Sequence, residues 1–323
     1  MNNSSQNTDD IKNALNLGDS MSDAGNPPMN ARPGGVPPRP SKVKLTLKRI
    51  GLIRESKVGM VGAGLVSFFV LMAIFAPLLA PFDPNSPIMP FAMPGAAAPD
   101  GGVFWLGTDQ TGRDILSRII WGAQRVLYYA AFATITAYIV GICMGLAAGY
   151  FRGWIDEGLS FVANVILSFP IMVLYVLIIA NFGASGANIV FAVVFASSPG
   201  IMRIVRGLTM DISTRDYIAA AQTRGESSLY IMFVEILPNA RGPLIVDFCL
   251  RMGYTTITIG ALGFLGLGLP PPDPDWGGMI SETRTFVNAG FPHMALMPAL
   301  AVSLLVLGFN LLADGIREIS IKD

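Results

Sequence analysis

Five stretches of this 323-residue chain contain no Asp, Glu, Lys or Arg: Val58–Phe82, Val126–Phe151, Gly158–Met202, Met252–Pro272 and Met294–Ala313. Nothing else in the sequence limits the fold so strongly. A helix needs roughly 20 apolar residues to cross the hydrocarbon of a bilayer, and each stretch reaches that length. The third exceeds it and breaks at Asn181–Asn188, where Gly, Ser and Asn favour a turn. Six spans are therefore predicted, near 59–80, 126–149, 159–180, 188–205, 245–269 and 293–313. Composition agrees, with 52% hydrophobic and 14% charged residues, whereas soluble domains carry about 25% charge. The fold class is an all-α membrane protein.

Lys and Arg, not net charge, set orientation. The segment before the first span holds Lys12, Arg32, Arg39, Lys42, Lys44, Lys48, Arg49, Arg54 and Lys57. The loop after span four adds Arg203, Arg206, Arg215, Arg224 and Arg241. Residues 81–123 hold only Arg113 and Arg118, and residues 270–292 only Arg284. Both termini and the 206–240 loop are thus expected in the cytoplasm, with 81–123 and 270–292 outside. The chain divides into a tail and basic segment (1–57), a first span with its outer loop (58–123), a five-helix core (124–316) and a short cytoplasmic end (317–323). The first forty residues are rich in Asn, Ser, Asp, Pro and Gly, a composition that cannot bury enough apolar surface to order itself. They show no secretory h-region or cleavage site.

The sequence excludes several chemistries. No Gly is followed by Lys, so no phosphate-cradling P-loop exists. Cys143 and Cys249 have no metal or redox spacing and are expected in packing. Asp247 and Arg251 stand four apart at the expected cytoplasmic entrance of span five, and Asp314 and Arg317 at the inner end of span six. Pairing or interfacial placement accounts for these four better than a proton relay. His293, the single histidine, reads as a hydrated residue at the outer mouth of span six. No catalytic or metal-binding set can be assembled, and no cofactor or nucleic-acid partner is expected.

The 206–240 loop is patterned rather than merely polar. Ser213–Asp216 has the Ser/Thr-x-x-acid form of a helix start. A short helix through Tyr217, Ala219, Ala220 and Ala221 would end at Gly225, which suits a left-handed cap. Ser227 or Ser228 would cap a second helix, closed by Pro238. This helical elbow carries a bulky run, "YIMFVEIL", that must bury against something, and three alanines that permit close approach. A docking element is the sharper reading and a solvated connecting loop the blander one.

The stretch "AAAQTRGESSLYIMFVEILPN" resembles the E-A-A…G…I-L-P signature of ABC importer permeases. "FAPLLAPFDPN", "LGTDQTGRDILSRIIWGAQ", "LGFLGLGLPPPDPDWGGMI" and "FNLLADGIRE" resemble segments of the C-type permeases of the dipeptide/oligopeptide family, covering roughly residues 50–320. The family's Glu is replaced here by Ala219. Asp216 or Glu226 could stand in for it.

The resemblance implies a type I importer fold in the bacterial inner membrane, surrounded by lipid. Its expected partners are a second homologous permease, two ABC ATPase subunits that hold ATP and magnesium, and an extracytoplasmic binding protein. Asp216, Tyr217, Ala220, Ala221, Arg224, Gly225 and Glu226 are then expected to contact the ATPase. The glycine-rich run from Gly260 to Leu269, with Leu262, Phe264, Leu265 and Leu267, reads equally as a gate or as ordinary helix packing. Thr108, Asp109, Arg113, Asp114, Asp275 and Trp276 in the outer loops are expected to meet the binding protein. The rivals are a self-contained carrier or channel and a membrane scaffold without transport. The resembled family carries peptides, nickel chelates, glutathione, and sugars or opines.

Overall fold

A computed structural model describes residues 56–99 and 101–322. The expected disordered tail therefore lies outside the described residues, apart from its last two positions. Helix α1 (Lys57–Ile74) starts on Ser56, whose Oγ accepts from the Gly59 N–H at 3.2 Å. The short α2 (Ala76–Leu79) leads to a loop region holding the one sheet among the described residues. This is a two-stranded antiparallel hairpin, β1 (Ala96–Ala97) on β2 (Val103–Phe104). Phe104, Ala92 and Ala98 form a small buried cluster beneath it, with the Phe82 ring 5.0 Å from that of Phe104.

The remaining helices are α3 (Ile115–Phe151), α4 (Gly153–Leu167), α5 (Ile171–Phe182), α6 (Gly186–Ile212), α7 (Asp216–Thr223), α8 (Ser228–Tyr230), α9 (Leu237–Phe264), α10 (Trp276–Thr283) and α11 (His293–Lys322). Five units are individually long and apolar enough to cross: α1, α3, α6, the α8–α9 unit and α11. The pair α4 and α5, bent by 86°, passes the same test only when taken together, as a broken span or a re-entrant loop. The continuous third span predicted over 159–180 is thus corrected to two half-helices. Pro170 causes the break, because it lacks an N–H and disfavours helical geometry at Phe169.

Lipid offers little hydrophobic drive to bring helices together, so their association depends on close backbone contact. Gly141, Gly145 and Gly149 form a stripe of α3 facing α6. A Cβ on Gly145 would lie 2.5 Å from Val205 Cβ and 2.8 Å from the Met202 carbonyl oxygen. Helices α1 and α11 meet the same way, since a Cβ on Gly62 would stand 2.7 Å from the Leu311 carbonyl carbon. Between these seams runs a core that includes Phe69, Ile119, Tyr175, Ile179, Ile189, Ile259 and Leu305. Much of the outward surface remains apolar, as at Phe161, Phe191 and Leu300, which suits contact with acyl chains.

Candidate functional site: the helical elbow and the long loops

The elbow forms between α6 and α9, though its start differs from expectation. Ser213 Oγ donates to the Thr209 carbonyl at 2.6 Å and Thr214 Oγ1 to that of Asp211 at 2.7 Å. The two hydroxyls therefore finish α6, and Arg215 opens α7 without a side-chain cap. The end of α7 is as predicted. Gly225 has φ +77°, its N–H donates to the Gln222 carbonyl at 2.9 Å, and the Glu226 N–H reaches the Ala221 carbonyl at 3.2 Å. Those two bonds satisfy carbonyls that a helix end otherwise leaves unpaired. Ser227, not Ser228, caps the next helix by accepting from the Tyr230 N–H at 3.2 Å.

Pro238 does not close that helix. A π-helical turn (Ile231–Ile236) intervenes, with the Leu237 N–H donating to the Met232 carbonyl. The widened turn places Pro238 in the first turn of α9, where its missing N–H costs nothing. The second helix thus runs on into the membrane instead of stopping. One side of its bulky run is buried by the chain itself. Ile231, Met232 and Ile236 pack with Ile212, Ile218, Ala221 and Val205 of this chain.

Within α7, Ile218 and Ala221 face that core, whereas Asp216, Tyr217, Ala219, Ala220, Gln222 and Arg224 are exposed. Ala221 is therefore removed from the surface set and serves as the small residue that lets α7 lie close to its own core. Glu226 is half-buried, with Arg224 Nε 3.7 Å from its carboxylate. Leu229, Tyr230, Phe233 and Val234 continue the exposed face with apolar side chains.

In the outer loops, five of the six expected contact residues are buried: Thr108, Asp109, Asp114, Asp275 and Trp276. They build the loops instead. Asp109 accepts from the Thr111 N–H, the Thr111 hydroxyl, the Arg113 N–H and Arg113 Nε at 2.6–3.0 Å. Arg113 extends to Glu282 at 2.8 Å, joining the two loops. Thr108 Oγ1 accepts from the Ala92 N–H and donates to the Met89 carbonyl. Asp114 caps α3 through the Ser117 N–H, and Asp275 caps α10 through Gly277 and Gly278. Burial raises both carboxyl pKa values, that of Asp275 to about 6. Trp276 Nε1 donates to the Ile119 carbonyl at 3.1 Å and fixes α10 to α3. His293 is buried beside Gly107, not hydrated as expected. The exposed apolar groups of this region include Met89, Phe91, Met93, Val103 and Trp105.

The run from Gly260 to Leu269 contains the end of α9 at Phe264, five residues before the predicted end of span five. Gly266 (φ +76°) turns the chain, and the Leu267 N–H closes onto the Leu262 carbonyl at 2.8 Å. Leu262 is fully buried and is thereby removed from the pore-lining set, whereas Phe264 and Leu265 are exposed and Leu267 is half-buried. Asp247 and Arg251 pair as expected at 2.7 Å, and Tyr138 Oη donates to the same carboxylate, a partner remote in the sequence. Both lie in α9, which starts at Leu237. The Gly141/Gly145/Gly149 stripe went unread, although its four-residue spacing is visible in the sequence. The Arg206–Asp156 bridge (2.5 Å), which links α6 to α4, carries no such signal.

The described residues thus form a polytopic helical core interrupted by a capped elbow. Comparison with known proteins assigns the family: the chain belongs to the binding-protein-dependent transport system inner membrane components, matched over residues 141–322. Residues 53–99 match the N-terminal transmembrane domain of oligopeptide transport permease C. The chain is 36% identical over 296 residues to the dipeptide transport system permease protein DppC of Alkalihalophilus pseudofirmus, covering 90% of this chain and 95% of that one. It is 38% identical to the glutathione transport system permease protein GsiD of Pectobacterium atrosepticum, over 80% and 85% of the two chains. A structure of the MetNI methionine ABC transporter in inward-facing conformations aligns with a TM-score of 0.52 at 17% identity. It covers 64% of this chain and 96% of that one, a likeness of fold. The protein is thus a permease subunit of a peptide-type ABC importer with a type I fold.

Proposed function

We propose that this chain forms half of an ATP-driven import pathway for a peptide-type solute, of the dipeptide or glutathione size named for its relatives. It pairs with a second homologous permease. Separate ATPase subunits supply ATP and magnesium, an extracytoplasmic binding protein delivers the cargo, and both termini lie in the cytoplasm. The observation that carries this reading is the elbow, in which the Gly225 turn holds α7 with one face on the chain's own core and the other open. Asp216, Tyr217, Ala220, Arg224, Gly225 and Glu226 make the ATPase contact. Asp216 is exposed on α7 and replaces the carboxylate missing at Ala219, since Glu226 is engaged with Arg224. Because α7 is anchored through Ile218 and Ala221 to a cluster shared with α3, α6 and α9, motion of the ATPase is transmitted to those spans as a rigid-body displacement. Phe264, Leu265 and Leu267 form the outer gate. The Asp109–Arg113–Glu282 and Asp275–Trp276 contacts hold the outer loops so that Trp105 and Met93 meet the binding protein.

The test is copurification of the ATPase with tagged permease. Ala220→Arg, on the open face of α7, is expected to abolish copurification, while Gln222→Lys on its flank retains it. Wild-type recovery of the ATPase with Ala220→Arg would remove the elbow from the coupling role.

A further inference from the structure

Arg251 is a charged residue placed where a membrane protein rarely keeps one. It stands thirteen residues before the outer end of α9 at Phe264, about 20 Å of helix. Intramembrane charge is costly and persists where it serves a pathway. Its Nε is engaged by Asp247 at 2.7 Å, and Asp247 is held from the other side by the Tyr138 hydroxyl. The guanidinium also lies within hydrogen-bonding reach of the Tyr138 hydroxyl. Its terminal nitrogens approach Gly200 of α6, whose lack of a side chain leaves them room: a Cβ there would come within 3.4 Å of one of them.

These nitrogens border a cavity of about 270 Å³ between α3, α5, α6 and α9. Hydroxyl groups line it close to the guanidinium. Tyr175 Oη and Ser197 Oγ stand 3.4 Å apart, and Thr258 and Tyr254 lie on the α9 side. The cavity opens toward exposed Tyr254, Ile171 and Ile257. One cation on the wall of a cavity whose other polar lining is neutral hydroxyls matches a planar carboxylate, which Arg recognises through paired N–H bonds. Asp247 and Tyr138 orient the guanidinium so that its donor edge faces the cavity.

We propose that this cavity receives a carboxylate of the cargo during its passage across the membrane, with Arg251 as the binding cation and Asp247 as its positioning residue. The proposal rests on the import reading above and adds the anionic chemistry of the intramembrane site.

The test uses the assembled importer with Ser197→Cys, in a background carrying Cys143→Ser and Cys249→Ala. Modification by the anionic sulfonatoethyl methanethiosulfonate is compared with that by its cationic trimethylammonium analogue, each normalised to its rate with a free thiol. The anionic reagent is expected to be favoured by about tenfold, the sign and scale of a nearby cation partly offset by Asp247. Arg251→Gln is expected to abolish the preference and Asp247→Asn to increase it. Thr258→Cys, a second reporter on the opposite wall, is expected to show the same order. Di-alanine is expected to slow modification, and its C-terminal amide to leave it unchanged. Equal normalised rates for the two reagents, or equal protection by acid and amide, overturn the proposal. Absence of ATP-dependent transport by the unsubstituted complex would sink the import reading alone, because the reagent ratio does not depend on turnover.

Discussion

Gly225 offers the sharpest test of how backbone geometry serves coupling. Its φ is +77°, and a Cβ built there meets nothing within 4 Å. Substitution therefore creates no clash, and its cost is confined to the backbone. A left-handed conformation costs an L-residue about 1–2 kcal/mol, whereas Asn tolerates it better. If the turn relaxes to relieve that strain, the bonds from Gly225 and Glu226 back to α7 are lost and α8 leaves at another angle. The strain then appears as weaker ATPase binding, by about 5–30-fold for 1–2 kcal/mol. Titration of labelled ATPase against permease in nanodiscs is expected to give the order Gly and Asn tightest, then Ala, then Val. Gly225→Ala isolates the strain, since it adds almost no volume. Wild-type affinity for Gly225→Ala, or Gly225→Asn as damaging as Gly225→Val, would refute the reasoning.

Two further outcomes follow from packing and burial. Gly145→Leu forces atoms into Val205 and the Met202 carbonyl, so the detergent-solubilised protein is expected to lose about 1–3 kcal/mol. Gly207→Ala, whose Cβ meets nothing within 4 Å, is expected to leave the thermal midpoint unchanged, and equal midpoints for the two variants would count against the α3–α6 seam. Burial raises the Asp275 pKa from 3.8 to about 6, so the stability it contributes is full at pH values below the unfolded pKa and is lost as pH rises through the folded one. Relative to wild type, Asp275→Asn is expected to gain stability between pH 4.5 and pH 7.5 in thermal unfolding; a difference that does not change with pH would exclude Asp275 as its source.

Five spans, the elbow and the family were legible in the residues because each depends on local rules. A bilayer requires every spanning backbone group to be satisfied within its own helix, so charge-free length reports a span directly. Gly225 and Ser227 act over three to five residues, which is why the turn and cap could be read in advance. Proline was the local signal that misled in both directions. Pro170 broke a span that looked continuous, and Pro238 was absorbed by a π turn within a helix it was expected to end.

What only the tertiary structure decided was which side of each residue faces inward. The outer-loop Asp and Trp residues look like exposed recognition groups in sequence. Their carboxylates bond to groups two to four residues away, whereas Trp276 bonds to Ile119 and Arg113 to Glu282, contacts that tie the loops to remote segments. Ala220 and Ala221 are indistinguishable by composition, yet one is exposed and the other packs beneath Ile218 and Ile231. Arg251 reads as half of a helical pair until α3, α5 and α6 enclose a cavity beside it. Sequence alone determined the spans and the turns, since hydrogen bonding within a helix or cap is satisfied by near neighbours. Burial and polarity at each site were decided by packing between separate elements, up to 169 residues apart for Arg113 and Glu282, which no local pattern encodes.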